Sequence, residues 1–118
     1  GNKYVMRGML ATHALVSRAY ADEFGTIDER GKILHEGYFH NWLDLELTET
    51  AKMRKKFAFA RNSVVEHMHP NWGKAAMDDT YERGLDQKLF EEDRCLLQIR
   101  RTLWRYAGRT RNRRGKYR

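Results

Sequence analysis

Residues 85–106 read LDQKLFEEDRCLLQIRRTLWRY, and the reading of this stretch decides the fold. Leu85, Leu89, Leu96, Ile99, Leu103 and Tyr106 fall on three- and four-residue spacings or their sum, which predicts one apolar stripe on a helix of about six turns. Asp78 or Asp79 is suited to cap its start, although Gly84 can move that start toward Asp86. Gly108 is placed to end it. Phe90, Leu97 and Trp104 fall off the stripe, as do Tyr38, Trp42 and Phe59 elsewhere in the chain. A helix apolar over more than one face has more than one partner, so these residues either close a compact four-helix core or bury against other subunits.

Working outward, the same periodicity recurs. Val5, Met9, Val16, Tyr20 and Phe24 predict a first helix ending at Gly25, with a polar loop to Gly31. Between Ile33 and Leu47, Leu43, Leu45 and Leu47 alternate with polar residues as a strand does. Phe39, Leu43 and Leu47 also fit a helix, and a lone strand lacks a partner, so the expectation is helix. Met53, Phe57, Ala60, Val64 and Met68 predict a further helix, capped by Thr48 or Thr50 and stopped at Pro70. Asn71 to Ala76 reads as a connection that Trp72 pins to the core. The fold class expected is all-α: three to four helices in a small irregular bundle, or draped on partner subunits. A helical body spans 1–107, and an extended basic tail spans 108–118.

Composition narrows the function classes. The chain has 118 residues, fourteen of them aromatic, one proline and one cysteine. That length holds one domain, and one cysteine cannot build a disulfide scaffold. No run of roughly eighteen apolar residues exists to cross a membrane. No repeat period is visible.

Catalytic and metal motifs fail on spacing. His35 and His40 are five residues apart, which sets them about 140° apart on a helix rather than on one face. Glu66, His67 and His69 offer one Glu-x-x-His element where a bridged di-iron site needs two. Cys95 has no resolving cysteine and no evident base. The Gly108–Lys116 run lacks the spacing of a phosphate-cradling loop. No enzyme activity, cofactor or metal is expected.

Charge is the informative feature. Residues 1–93 carry 13 Lys or Arg against 16 Asp or Glu, a net of −3, while residues 94–118 carry ten cations and no acid. Nine of those ten are arginine, whose planar fork binds phosphate bidentately and stacks on bases. Arg100, Arg101, Arg105, Arg109, Arg111, Arg113, Arg114, Lys116 and Arg118, with Trp104 and Tyr106 interleaved, are the candidate RNA-binding or polyanion-binding residues. Residues 1–21 contain Lys3, Arg7 and Arg18 and no acid, which is the composition of a mitochondrial targeting helix.

The blocks Met77-Asp78-Asp79-Thr80-Tyr81-Glu82, Asp93-Arg94 and Ile99-Arg100-Arg101 resemble the small matrix-side subunit of the cytochrome bc1 complex. They are closer together here, and that family's downstream Leu-Pro and Trp segment is missing. The resemblance implies an accessory subunit of a respiratory complex. Two expectations follow. The first is a non-catalytic mitochondrial ribosomal protein whose arm binds rRNA beside neighbouring protein subunits. The alternative is a matrix-facing accessory subunit of a respiratory-chain complex or ATP synthase, the arm meeting acidic protein or cardiolipin.

Overall fold

A computed structural model of the chain describes residues 9–65, 68, 70–73 and 75–116, with Trp72 and residues 106–116 described by their backbone. The described residues form helix α1 (Arg18–Glu23), helix α2 (Leu43–Met53), a 3₁₀ turn at Pro70–Trp72, helix α3 (Asp79–Gly84) and helix α4 (Gln87–Lys116). The chain is helical, and no strand occurs among the described residues. No described helix is long and apolar enough to cross a membrane.

The predicted first helix is shorter than its stripe. The Ser17 hydroxyl accepts from the Tyr20 amide at 3.1 Å and starts α1 there. Before it, backbone groups bond to α2 instead of to one another. Ala11 N–H donates to Thr48 Oγ1 at 3.0 Å, and Lys52 Nζ donates to the Met9 carbonyl at 3.0 Å. Val5 lies outside the described residues. The stop is where glycine predicts it: Gly25 has φ +64°, and a Cβ there would stand 2.1 Å from the Glu29 carbonyl oxygen.

In the ambiguous stretch, helix forms only from Leu43 onward, and residues 33–42 are irregular. Asp44 and Glu46 sit in the first turn of α2, where carboxylates complement the helix dipole. Thr48 and Thr50 are not caps. They lie inside α2, buried, with their hydroxyls donating to the carbonyls of Asp44 and Glu46 at 2.8 Å. The helix expected over Met53–Met68 is absent from its described residues. Lys55 takes φ +58°, its N–H donates to the Lys52 carbonyl, and the Lys56 N–H donates back to Ala51. This pair of bonds closes a helix at a left-handed residue and turns the chain away. Pro70 opens the 3₁₀ turn rather than stopping a helix.

Two caps divide the C-terminal region. The Asp78 carboxylate accepts from the Tyr81 amide at 3.0 Å and starts α3. The Asp86 carboxylate accepts from the amides of Lys88 and Leu89 at 2.9 and 3.1 Å and starts α4. The α4 backbone then passes through Gly108, the expected stop, and stays helical to Lys116, where an extended tail was expected. A glycine inside a helix costs about 1 kcal/mol against alanine and breaks nothing by itself.

α2 and α3 both pack on α4. The apolar core is Tyr38, Leu97 and Trp104, with Ile27, Trp42, Leu43, Leu45, Met53 and Leu96 packed against it. The expected stripe is therefore not the buried one. Ile99 and Leu103 are 68% and 45% exposed, whereas Leu97 and Trp104 are 2% and 4% exposed. The buried face of α4 runs Asp93, Leu97, Arg100, Trp104, at spacings of four, three and four. Two residues of charged type on it, Asp93 and Arg100, hide its period from a hydrophobicity reading.

Candidate functional site

The buried polar groups explain why that face turns inward. Arg100 reaches from α4 to Glu46 on α2, with Nη2 2.6 Å and Nε 2.9 Å from the carboxylate oxygens. The other edge of its guanidinium forks onto Asp28 at 2.9 and 3.0 Å. Tyr38 Oη donates to Glu46 at 2.7 Å, and Thr26 Oγ1 donates to Asp28 at 3.1 Å. One cation thus closes a chain of five side chains from four segments. Burial alone would lower the Arg100 pKa, but its hydrogen bonds to Glu46 and Asp28 outweigh that and hold it above the ordinary value. The hydrogen bond from Arg100 lowers the Asp28 carboxyl to about 2. Burial, reinforced by the bond to Glu46, raises the Tyr38 phenol well above its ordinary range.

Two further carboxylates tie loops and helices to α4. Asp93, 1% exposed, accepts the backbone amides of Phe39, His40 and Asn41 at 2.8, 2.9 and 2.7 Å. Glu49 takes Arg101 at 2.6 Å on one oxygen and the Trp104 indole N–H at 2.9 Å on the other. Removing any of these partners strands a buried or half-buried polar group, which is costly in a low-dielectric interior.

The candidate binding residues therefore divide. Arg100, Arg101 and Trp104 are engaged with acids of the same chain, and the structure does not bring them to the surface as a binding row. Arg94 pairs with Glu91 at 2.7 Å. Arg105 is exposed at the end of this paired region. Arg109, Arg111, Arg113, Arg114 and Lys116 continue on the α4 backbone beyond it, as does Tyr106, and Arg118 lies outside the described residues. Glu46, Glu49 and Asp28 were not singled out from sequence, and Asp93 was named only within the block Asp93-Arg94 of the resemblance, with no role in the fold. The usable signal was the spacing of Asp93 and Arg100, seven apart and in phase with Leu97 and Trp104.

The contacts across α2 and α4 also set their direction. Asn41 meets Asp93, Glu46 meets Arg100, and Glu49 meets Trp104, so chain number rises together on both sides. The two helices run parallel. Their C-terminal ends, the Lys52–Lys56 turn after α2 and the arginine-rich end of α4, lie toward the same end of the molecule.

Among the described residues, no group of three or more His, Cys, Asp or Glu is arranged to hold a metal ion. His35 stacks edge-on against Tyr38 with ring centroids 5.8 Å apart, and Cys95 is an exposed thiol. No protein-family model, curated protein or solved structure matches this chain.

Proposed function

We propose that the chain is a non-catalytic helical subunit of a large mitochondrial assembly, and that it binds rRNA through the arginine-rich end of α4. One observation carries this reading: the acid-free run of cations that follows the internally paired part of α4. Arg94, Arg100 and Arg101 are matched by carboxylates of the same chain. The seven cations from Arg105 to Arg118 stand in sequence without a single acid. A run of cations that dense, with no acid in its sequence, suits a polyanion, and arginine in particular suits phosphate and stacked bases.

The outward side of α4 supports residence in an assembly, with neighbouring protein subunits as further partners. Leu85, Ile99 and Leu103 are exposed on α3–α4, and Leu15, Val64 and Val65 are exposed elsewhere. That much uncovered apolar surface on a small body fits helices draped on partners better than a self-sufficient bundle. The mitochondrial assignment rests on the acid-free composition of residues 1–21.

Sedimentation of the native protein from lysed mitochondria tests the reading. Co-migration with rRNA, abolished by ribonuclease, is the expected result. Co-migration with a detergent-solubilised membrane complex, indifferent to ribonuclease, replaces it with the accessory-subunit reading.

A further inference from the structure

The turn and loop that follow α2 form a second cationic segment. Between Glu49 and Glu66 there is no acid, and Lys52, Arg54, Lys55, Lys56 and Arg61 fall inside that interval. Three of the five touch the rest of the fold. Arg54 donates to the carbonyls of Gly25 and Thr26 at 2.7 and 3.0 Å, Lys52 holds Met9, and Lys56 Nζ stands 5.7 Å from the Phe24 ring centroid. Lys55, Lys56 and Arg61 are exposed and form no ion pair among the described residues. Phe59, between them, is 52% exposed. Water-exposed phenylalanine flanked by unpaired cations is the composition of a surface that stacks bases and tracks phosphates.

Its position gives this composition a meaning. Because α2 and α4 run parallel, the 55–61 segment emerges at the same end of the molecule as the arginine-rich half of α4. Most of the acids of the C-terminal half lie at the opposite end, in Asp78, Asp79, Glu82, Asp86, Glu91 and Glu92. Lys55 is also held in the left-handed region at φ +58°, at the helix-closing position that glycine occupies most easily. A lysine there carries a conformational cost that a glycine would not.

We infer that Lys55, Lys56, Phe59 and Arg61 form a second RNA contact, which takes unpaired bases and their phosphates while the end of α4 holds the neighbouring backbone. The inference rests on the RNA reading above and adds a site and a ligand state to it. The site favours single-stranded over duplex segments, since Phe59 can stack only on a base that is not already stacked on both faces.

The test uses the full chain, with a labelled mixed-sequence single-stranded RNA and a perfectly paired hairpin as probes. Lys55→Gln/Lys56→Gln/Arg61→Gln should flatten the slope of log affinity against log salt by about 2 units, at about 0.7 per phosphate on a single strand. Phe59→Ala should weaken single-strand binding about 5- to 100-fold, with little effect on the hairpin, and Phe59→Tyr should restore it. Lys55→Gly separates binding from folding: its unfolding midpoint should be no lower than the parent's while its single-strand affinity falls. If removal of residues 109–118 abolishes RNA binding while the loop variants bind as the parent does, this inference is overturned and the RNA reading stands. If the intact chain binds neither RNA, both fall. If the loop variants lose binding to cardiolipin-containing vesicles and not to RNA, the site belongs to a lipid surface and the inference is likewise overturned.

Discussion

Arg100 and Glu46 meet at 2.6 Å across α4 and α2, with side chains 6% and 5% exposed. The pair is not symmetric in its supports. Arg100 has a second carboxylate in Asp28, whereas among the described residues the Glu46 carboxylate has only the neutral Tyr38 hydroxyl besides Arg100. Their removal should therefore cost different amounts. Arg100→Met leaves a buried carboxylate without its cation and should cost about 3–5 kcal/mol. Glu46→Gln leaves Arg100 still paired to Asp28 and should cost less, about 1–3 kcal/mol. Glu46→Gln combined with Arg100→Met should cost less than the sum of the single changes. Denaturant unfolding of the four proteins measures this. Equal costs for the two single variants would show that Asp28 does not share the charge.

The same network predicts stability loss at both pH extremes. Asp28 is depressed from 3.8 to about 2 by its hydrogen bond to Arg100. A depressed carboxyl contributes stability above its unfolded pKa, and the contribution is lost as pH falls from about 4 toward 2. With the Asp28 side chain 49% exposed, solvent screening reduces that contribution to roughly 1 kcal/mol. Tyr38 is raised by burial, so the folded protein keeps it neutral while the unfolded chain ionises near 10.0. Stability should then decline as pH rises past that value. Asp28→Asn should flatten the acid limb alone, and Tyr38→Phe the alkaline limb alone, in thermal melts across pH.

The inverted faces of α4 give a sharper test of packing. Leu97→Ala removes a side chain that is 2% exposed and should cost about 2–5 kcal/mol. Ile99→Ala, two residues on, removes one that is 68% exposed and should change stability by no more than about 0.5 kcal/mol. Ile99→Glu with Leu103→Glu should lower the binding of a hydrophobic dye to the isolated chain without lowering its unfolding midpoint. The periodicity of the sequence alone predicts the reverse order for Leu97 and Ile99, so this pair of measurements decides between the two faces.

What was legible in the sequence follows from which interactions are local. Asp78, Asp86 and Gly25 act on amides or carbonyls a few residues away, and each delimits a helix where its residue type predicts. The helical class of the chain was legible for the same reason. The missed features depend on partners far along the chain. Val5–Val16 has a helical stripe, yet at Met9 and Ala11 the backbone is bonded to Lys52 and Thr48. Met53–Met68 has one too, yet the left-handed turn at Lys55 ends α2 before it. Asp93 and Arg100 look like surface residues until their acceptors and donors, more than fifty positions away, are in place. Arg100 and Arg101 were read as part of a binding row for that reason. The basic loop at 55–61 was passed over because it was read as a helix face.

Removing residues 109–118 separates the binding arm from the fold. Every buried residue of the described core lies at or before Trp104, so the unfolding midpoint should not change. Helical signal should fall by the contribution of the last turns of α4, since the α4 backbone is helical to Lys116. The deletion removes six cations. If roughly four of them neutralise phosphates, the slope of log RNA affinity against log salt should flatten by about 3 to 4 units, at about 0.7 to 0.9 per phosphate. Replacing Arg109, Arg111 and Arg113 together by lysine distinguishes charge from geometry. Lysine keeps the cation, so most of the slope should survive. It lacks the planar fork, so affinity for a structured RNA should drop even at matched salt. A truncated protein that binds RNA as tightly as the intact chain, with the same salt slope, removes the end of α4 from the interface.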